Sequence, residues 1–585
     1  MTKTLSSSLP ARRPLTRLAA LVTGTALSAL LYSTNIAALG LDTNPFPNTQ
    51  WTQYYIPSTD GVQLHADVLR PAGLSDTDRT PVILSIGPYF SHSGQIPLQE
   101  DWPFLRLAGP SDRFLEFAEG ADIFNKGYTY VMVDLRGYGG SSGCADMLGP
   151  GEQADIKSAV EWAASQSWST GKVGMYGKSY DGETGLAAAG LRPSGLAAVV
   201  AQEPVYDNYR YAFGNGVYRY NTLGTPLVYA GIAISPGVLG DSLRYFANSV
   251  SDVVNPTCII PGIVDQTNND HNAEFWRVRN LITKAQGSTV PVFLTQGLIE
   301  SNTAADGLQD YLEALVGPKR AWLGMWDHVR GNDTDASADV ANSPTPNALA
   351  MGRKGWFDEV MRFFDLHLKG IEPTVTDPNF LIQDNPGLWR EQDAWPENDA
   401  IEQVALNAGS YAQTGQQIAA SHFGGSGEYV EMPADDPANG LWTYSAPVKE
   451  PYRISGTPEV TIRTKPGTKG NVAVDLYDLP PKQNAILISQ NVSLLDPSGI
   501  TELKLFSTDW LLQLGHRYVV RITDSNYGRW LYLPWQSNGP DVDVLSAILQ
   551  LPTAPAIQGA PAEGQSNTTL SNYLKYITYP VPAPQ

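Results

Sequence analysis

The sequence predicts an α/β domain built on a largely parallel sheet, interrupted by a cap and followed by a separate β-sandwich. Three patterns carry this. Between Val82 and Ala201, short apolar runs alternate with stretches of helical periodicity, the signature of a sheet covered on both faces. From about Pro204 to Gln286 that alternation stops, in a segment rich in Tyr, Asn and Gly. Beyond Gly370, short alternating runs such as Val472, Val474, Leu476 and Tyr518, Val520, Ile522 are separated by Gly, Pro and Asp, and helical periods are scarce.

The elements follow in order. Lys3, Arg12, Arg13 and Arg17 precede an apolar run from Leu18 to Leu31, with no acid before Asp42. That is the layout of a secretory signal, partly matching a twin-arginine signal, and it predicts a secreted or periplasmic protein by the Sec or twin-arginine route. The run is short for a spanning helix, and no stable membrane insertion is expected after its removal. Tyr54 to Pro71 reads as a hairpin turning at Asp60-Gly61, with Val62, Leu64, Ala66 and Val68 on one face. Val82 to Ile86 and Tyr128 to Val133 are strands, and the first ends in Gly87-Pro88-Tyr89. Ile156, Ala159, Val160 and Ala163 have helical spacing. Val173 to Tyr176 and Leu196 to Ala201 are strands flanking a helix over Thr184 to Leu191. In the cap, Trp276 to Ile282 reads as helical. Alternation resumes with a strand over Val292 to Thr295, a helix through Leu308, Tyr311, Leu312 and Leu315, a strand over Ala321 to Met325 and a helix over Trp356 to Leu368. The expected divisions are a signal peptide over 1–40, the core over 41–203 and 287–375, the cap over 204–286, the β-sandwich over 376–552 and a loosely held Pro-rich tail over 553–585.

Composition bounds the partners. With 585 residues, more than one core is expected. The formal net charge of −20 argues against nucleic acid or an anionic membrane as partner. Two cysteines are too few for a disulfide scaffold or a tetrahedral zinc site. In an oxidising compartment, Cys144 and Cys258 are expected to pair and staple cap to core. The acidic run Asp333, Asp335, Asp339 lacks calcium-loop spacing. No metal and no cofactor are expected.

The chemistry centres on Gly177-Lys178-Ser179-Tyr180-Asp181-Gly182, between a strand and a helix. A serine on such an elbow exposes its hydroxyl, and the amide of Tyr180 points where an oxyanion would form. Gly-Lys-Ser also suggests a phosphate loop, but Lys172 stands where that loop needs glycine. A serine nucleophile needs a base and a group to orient the base. In α/β-hydrolase order both follow the serine. Of His271, His328, His367, His422 and His516, only His328 falls in a loop directly after a core strand, and Glu300 follows the strand before it. Asp306 and Asp310 are fallback acids. Asp327 neighbours His328 too closely in the chain to orient it.

These stretches resemble the Xaa-Pro dipeptidyl-peptidase and cocaine-esterase-like serine hydrolases. The resemblance rests on Gly87-Pro88-Tyr89, Asp134-Leu135-Arg136-Gly137-Tyr138-Gly139, the run Trp168 to Gly182, Gly297-Leu298-Ile299-Glu300, Trp326-Asp327-His328 and Phe364 to Gly370. Leu388-Trp389-Arg390, Trp395-Pro396 and Gly515-His516-Arg517 extend it to a jelly-roll domain. It implies an α/β-hydrolase core, a helical cap and an oxyanion hole completed by the Tyr89 hydroxyl. Two positions depart from the family: the acid is Glu300 where Asp is usual, and Asn302 and Thr303 replace the carboxylates that hold a substrate ammonium in the related α-amino-acid ester hydrolases.

The expectation is a serine hydrolase acting through an acyl-enzyme on a short peptide or small molecule, with Ser179, His328 and Glu300 as triad and Tyr89 and Tyr180 as oxyanion donors. An Xaa-Pro dipeptidyl-peptidase is the first reading; Glu203 and Asp207 add to it if they bind a peptide's ammonium, the alternative for both being structural hydrogen bonding at the cap's entry. A carboxylesterase or amidase of the cocaine-esterase type is the alternative. A non-catalytic carbohydrate-binding or adhesion protein is the rival of a different class. Oligomeric state is not legible.

Overall fold

The computed structural model describes residues 43–95, 106–219, 222, 224–249, 255, 258, 264–334, 347–414, 437–524, 526, 530–531 and 536–583. The expected signal peptide lies outside the described residues, as do Asp335 and Asp339.

An 11-stranded sheet organises the first part. Its strands are β1 (Thr49–Pro57), β2 (Gln63–Pro71), β3 (Thr80–Gly87), β4 (Thr129–Asp134), β5 (Ser169–Lys178), β6 (Leu196–Gln202), β7 (Val292–Gly297), β8 (Lys319–Gly324), β9 (Phe380–Gln383), β10 (Trp389–Gln392) and the short strand Ala560–Ala562. The order is β1-β2-β4-β3-β5-β6-β7-β8-β9-β10 and then Ala560–Ala562. The run from β4 to β9 is parallel, and both margins are antiparallel. Successive side chains leave opposite faces, so each central strand feeds two cores. Val131 and Val133 pack with α1 (Pro150–Ser165) and α2 (Tyr180–Leu191), while Tyr130 and Met132 enter the aromatic layer around Trp322 and Trp356.

The cap carries short helices, among them α3 (Thr225–Ala233) and α4 (Leu243–Ser249). The helix expected over Trp276 to Ile282 is instead two pieces, Glu274–Arg277 and Leu281–Ala285. Asn280 explains the break, because its side chain accepts from Thr283 N and caps the second piece. Cys144 and Cys258 form a disulfide with Cα atoms 5.0 Å apart, fastening cap to core. Among the described residues no helix is long and apolar enough to cross a membrane.

Two boundaries differ from expectation. The sandwich does not begin at 376: β9 pairs parallel with β8, and β10 with β9, so 380–392 belongs to the first sheet. Short alternating runs fit either sheet, and only pairing decides. Nor is the segment after 552 loose. Ala560–Ala562 pairs with β10, and Pro561 is tolerated there because this is the sheet's edge. Helix α5 (Thr568–Tyr576) buries Leu570 and Tyr573. The sandwich proper pairs a six-stranded sheet with a five-stranded one, and Ile454, Val460 and Leu549 of one share a core with Val474, Leu476 and Val520 of the other. Buried ion pairs join it to the first sheet: Arg390–Asp509 at 2.7 Å and Arg453–Asp384 at 2.9 Å.

Candidate active site

Ser179 sits between β5 and α2 with φ 63° and ψ −125°. This is a backbone region that costs a non-glycine residue on the order of 1–3 kcal/mol, and it turns the side chain out of the chain path. The surroundings enforce it. Ser179 N donates to Gln202 O at 2.8 Å, and Glu183 N donates to Ser179 O at 2.8 Å. A Cβ at Gly177 would stand 2.2 Å from Asp181 O, so only glycine lets α2 begin so close to β5. The helix starts at Tyr180 rather than at Thr184, because Ser179 itself is the N-cap. The amides of its first turn have no intrahelical partner and face an incoming anion.

The candidate acid and base come from the ends of β7 and β8. His328 Nδ1 lies 2.6 Å from Glu300 Oε1. Glu300 is further held by Thr303 N at 2.9 Å, Thr303 Oγ1 at 2.7 Å and Gln296 Nε2 at 2.7 Å. Burial raises its pKa, but the His328 charge and these hydrogen bonds outweigh burial and hold it at about 2. His328 is pulled below the ordinary imidazole value by burial and by the Lys178 ammonium. Lys178 is itself lowered to about 8 by burial and by Arg113. The loop carrying His328 is tied to the elbow through one side chain: Gln202, whose carbonyl takes the Ser179 amide, accepts from Gly331 N at 2.8 Å through Oε1. On its other side, Asn567 Nδ2, at the cap of α5, donates to Met325 O at 3.0 Å. The segment expected to be a loose tail therefore braces the strand that delivers His328. Among the described residues, none takes a hydrogen bond from the Ser179 hydroxyl.

The oxyanion side is aromatic. Tyr89, just past β3, has its hydroxyl 2.6 Å from that of Tyr229 on α3, and the Arg113 guanidinium lies 4.0 Å over its ring. Burial pushes the Tyr89 phenol well above its ordinary value, so it stays protonated and able to donate. Tyr229 also packs on Tyr180, ring centroids 5.0 Å apart. The Tyr180 hydroxyl turns away and donates to Glu152 at 2.6 Å, leaving its backbone amide as the candidate oxyanion donor.

The remaining candidates are used structurally. Of the two readings open for Glu203, ammonium binding and structural hydrogen bonding, its burial behind Glu300 fits the second. Glu203 accepts from Gly297 N at 2.8 Å, Trp326 Nε1 at 2.9 Å and Thr295 Oγ1 at 3.0 Å. Asp207 caps the helix Asn208–Ala212, accepting from Tyr209 N at 2.9 Å and Asn280 Nδ2 at 2.7 Å. Asp306 pairs with Arg210 at 3.4 Å, and Asp310 with Arg210 at 2.8 Å and Lys504 at 2.9 Å, so neither fallback acid is aimed at His328. Asp327 accepts from Ser301 N at 3.3 Å. Sequence reasoning missed Gln202 and Asn567, whose importance is visible only once strands are neighbours.

Two family models match the chain: X-Pro dipeptidyl-peptidase (S15 family) over residues 60–330, and X-Pro dipeptidyl-peptidase C-terminal non-catalytic domain over residues 373–526. The chain belongs to the Xaa-Pro dipeptidyl-peptidase and cocaine-esterase-like hydrolase family. The first match spans Tyr89, Ser179, Tyr180, Glu300 and His328. The chain is 25% identical over 455 residues to a Streptomyces avermitilis protein provisionally named Xaa-Pro dipeptidyl-peptidase, covering 71% of this chain and 61% of that one. It is 24% identical over 553 residues to the cocaine esterase of Rhodococcus sp., covering 81% and 90%. The chain thus spans less than two thirds of the first relative but nearly all of the esterase. Among solved structures, an α-amino acid ester hydrolase aligns over 88% of this chain and 98% of its own, with TM-score 0.63 and 17% identity. A CocE/NonD family hydrolase from Staphylococcus aureus aligns over 86% and 94%, with TM-score 0.59 and 16% identity. Both share the fold: an α/β-hydrolase core with a β-rich C-terminal domain.

Proposed function

We propose that this chain is an exported serine hydrolase that cleaves an acyl bond through an acyl-enzyme. The observation that carries it is the 2.6 Å contact between His328 and an ionised, buried Glu300, in a loop tethered to the strained elbow of Ser179. His328 takes the proton of the Ser179 hydroxyl as Oγ attacks the substrate carbonyl. Glu300 stabilises the resulting imidazolium. The Tyr180 amide and the Tyr89 hydroxyl receive the oxyanion, and Tyr89 exchanges its Tyr229 contact for the substrate oxygen. The tetrahedral intermediate expels the leaving group, which takes the proton from His328. His328 then deprotonates water, and the acyl group leaves as acid. The disulfide and the charged-then-apolar N-terminal run support export.

Family membership supports an Xaa-Pro dipeptidyl-peptidase substrate. A specific observation favours the second reading, a carboxylesterase. Glu203 and Asp207 are both satisfied by protein donors, and the tyrosines 89, 180 and 229 cluster beside the Ser179 elbow. A tyrosine cluster with both candidate carboxylates already engaged suits an uncharged ester better than a peptide ammonium. A panel of Ala-Pro-, Gly-Pro- and Lys-Ala-anilides against p-nitrophenyl and benzoyl esters separates the two. Turnover of Xaa-Pro anilides alone supports the peptidase, and turnover of esters alone supports the esterase. Failure of Ser179 to react with a fluorophosphonate, in folded protein, would return the non-catalytic reading.

A further inference from the structure

Away from the triad, two histidines and three aspartates meet where β1, β2, the loop after β3, the end of β4 and the cap come together. His65 and Asp67 are two residues apart on β2 and leave the same face, opposite to Leu64, Ala66 and Val68. Gln53 stands beside Asp67 in register on β1. His92 arrives from the loop after β3. Donor atoms of His65, Asp67 and His92 all lie within 4.8 Å of one another. His92 Nε2 is 3.2 Å from Asp67 Oδ2, His65 Nε2 is 3.9 Å from Asp67 Oδ1, and His65 Nε2 is 3.1 Å from Gln53 Oε1. All three side chains are buried.

The outer contacts give these atoms a direction. His65 Nδ1 faces Asp134 Oδ2 at 3.0 Å, and His92 Nδ1 faces Asp241 Oδ1 at 2.6 Å. A carboxylate only accepts, so each Nδ1 carries a proton, and each Nε2 is left facing an oxygen, Asp67 Oδ2 for His92 and Gln53 Oε1 for His65. Asp67 also accepts from Trp51 Nε1 at 2.7 Å through Oδ1, which leaves Oδ2 toward His92. An Nε2 without a proton offers its lone pair to a cation set among these atoms. Charge says the same. Asp67, Asp134 and Asp241 are buried together, and among the described residues their only ion-pair partners are these two histidines. A histidine ligating through one nitrogen while the other donates to a carboxylate is the arrangement that orients imidazoles on a metal.

We propose that His65, Asp67, His92 and Gln53 bind one divalent first-row transition metal of the zinc class, with Asp134 and Asp241 as the carboxylates behind the two imidazoles. Two imidazole nitrogens select such an ion over calcium or magnesium. Ligand bonds of about 2.0–2.2 Å in a tetrahedron would set the donors roughly 3.3–3.5 Å apart. The separations of 3.1, 3.2 and 3.9 Å bracket that. The role is structural. His92 is three residues past Tyr89 and Asp241 belongs to the cap, so the ion would hold the oxyanion loop and the cap to the sheet margin.

The test uses the full secreted protein without a polyhistidine tag. Elemental analysis after gel filtration is expected to find about one zinc, or a comparable first-row ion, per chain. Chelation should lower the melting temperature, and Zn2+ should restore it where Ca2+ and Mg2+ do not. Co2+ loaded into the stripped protein should give the visible bands of tetrahedral coordination. His92→Gln should lose the bands and the stoichiometric metal. Asp241→Asn, which leaves every ligand in place, should weaken metal affinity roughly 10–100-fold. Fluorophosphonate labelling of Ser179 reports that each variant is folded, and if the variants fail to fold, the wild-type metal content and Co2+ spectrum decide. Folded wild-type protein without first-row metal, and taking up neither Zn2+ nor Co2+, would overturn the site in favour of a hydrogen-bonded chain of protonated imidazoles.

Discussion

The Glu203 carboxyl lies directly behind that of Glu300, with Gln296 Nε2 placed between them at 3.4 Å from one and 2.7 Å from the other. Burial and the neighbouring Glu300 charge raise Glu203 well above the usual carboxylate range, while the His328 charge and the hydrogen bonds to Glu300 hold Glu300 at about 2. Negative charge is thus favoured on the member that touches His328.

That division of charge makes the acid assignment testable. Glu300→Gln is expected to lower kcat about 10³–10⁴-fold with folding intact, because the amide cannot stabilise an imidazolium. Asp306→Asn, whose carboxylate serves Arg210, should leave kcat within about threefold. Single-turnover kinetics on both variants check this. The reverse ranking would move the acid to Asp306.

The oxyanion donors should separate by role. Tyr89→Phe removes a hydroxyl that meets the developing charge, and a loss of about 10²–10³-fold in kcat is expected. Tyr229→Phe removes only the partner that this hydroxyl holds at 2.6 Å before substrate arrives. Its kcat should fall less than about tenfold. Equal losses would make Tyr229 a donor in its own right.

The rate should respond to pH through His328, which must be neutral to act as base. Burial and Lys178 both hold its pKa below the ordinary value, so kcat/KM should fall only as pH drops below that value. Lys178→Met removes a positive charge beside the ring. The acidic limb of kcat/KM should then move to higher pH, and an unmoved limb would show that Lys178 does not act on His328.

Stability offers an independent pH signature. Burial raises Glu183 to about 8, above its unfolded value of 4.5. A carboxyl whose folded pKa is raised costs nothing below pH 4.5. It costs progressively more between 4.5 and 8, where the unfolded chain ionises and the folded one does not, and the cost levels off above 8. Glu183→Gln keeps an oxygen for Asn208 Nδ2 and removes that titration. Its melting temperature relative to wild type should rise between pH 5 and 8.5, by the equivalent of about 1–4 kcal/mol. A flat difference would mean that Glu183 is not held protonated.

Much was legible in the sequence because it is local. Strand and helix periods, the Ser179 turn between Gly177 and Gly182, and the order of serine, acid and histidine are written within short windows, where sterics and side-chain alternation act directly. The pairing of Cys144 with Cys258 followed from there being two cysteines and an oxidising compartment expected from the N-terminal run. What the tertiary structure decided is which distant groups share one buried space. Glu203 stood open between ammonium ligand and structural acceptor until burial placed it behind Glu300. Residues 380–392 and 560–562 looked like sandwich and tail until hydrogen bonding put them in the first sheet. Asn567, His65 and His92 carried no local signal at all. A partner contributed from hundreds of residues away leaves no period or spacing in the chain, and its energy depends on the dielectric and the donors that only the folded arrangement supplies.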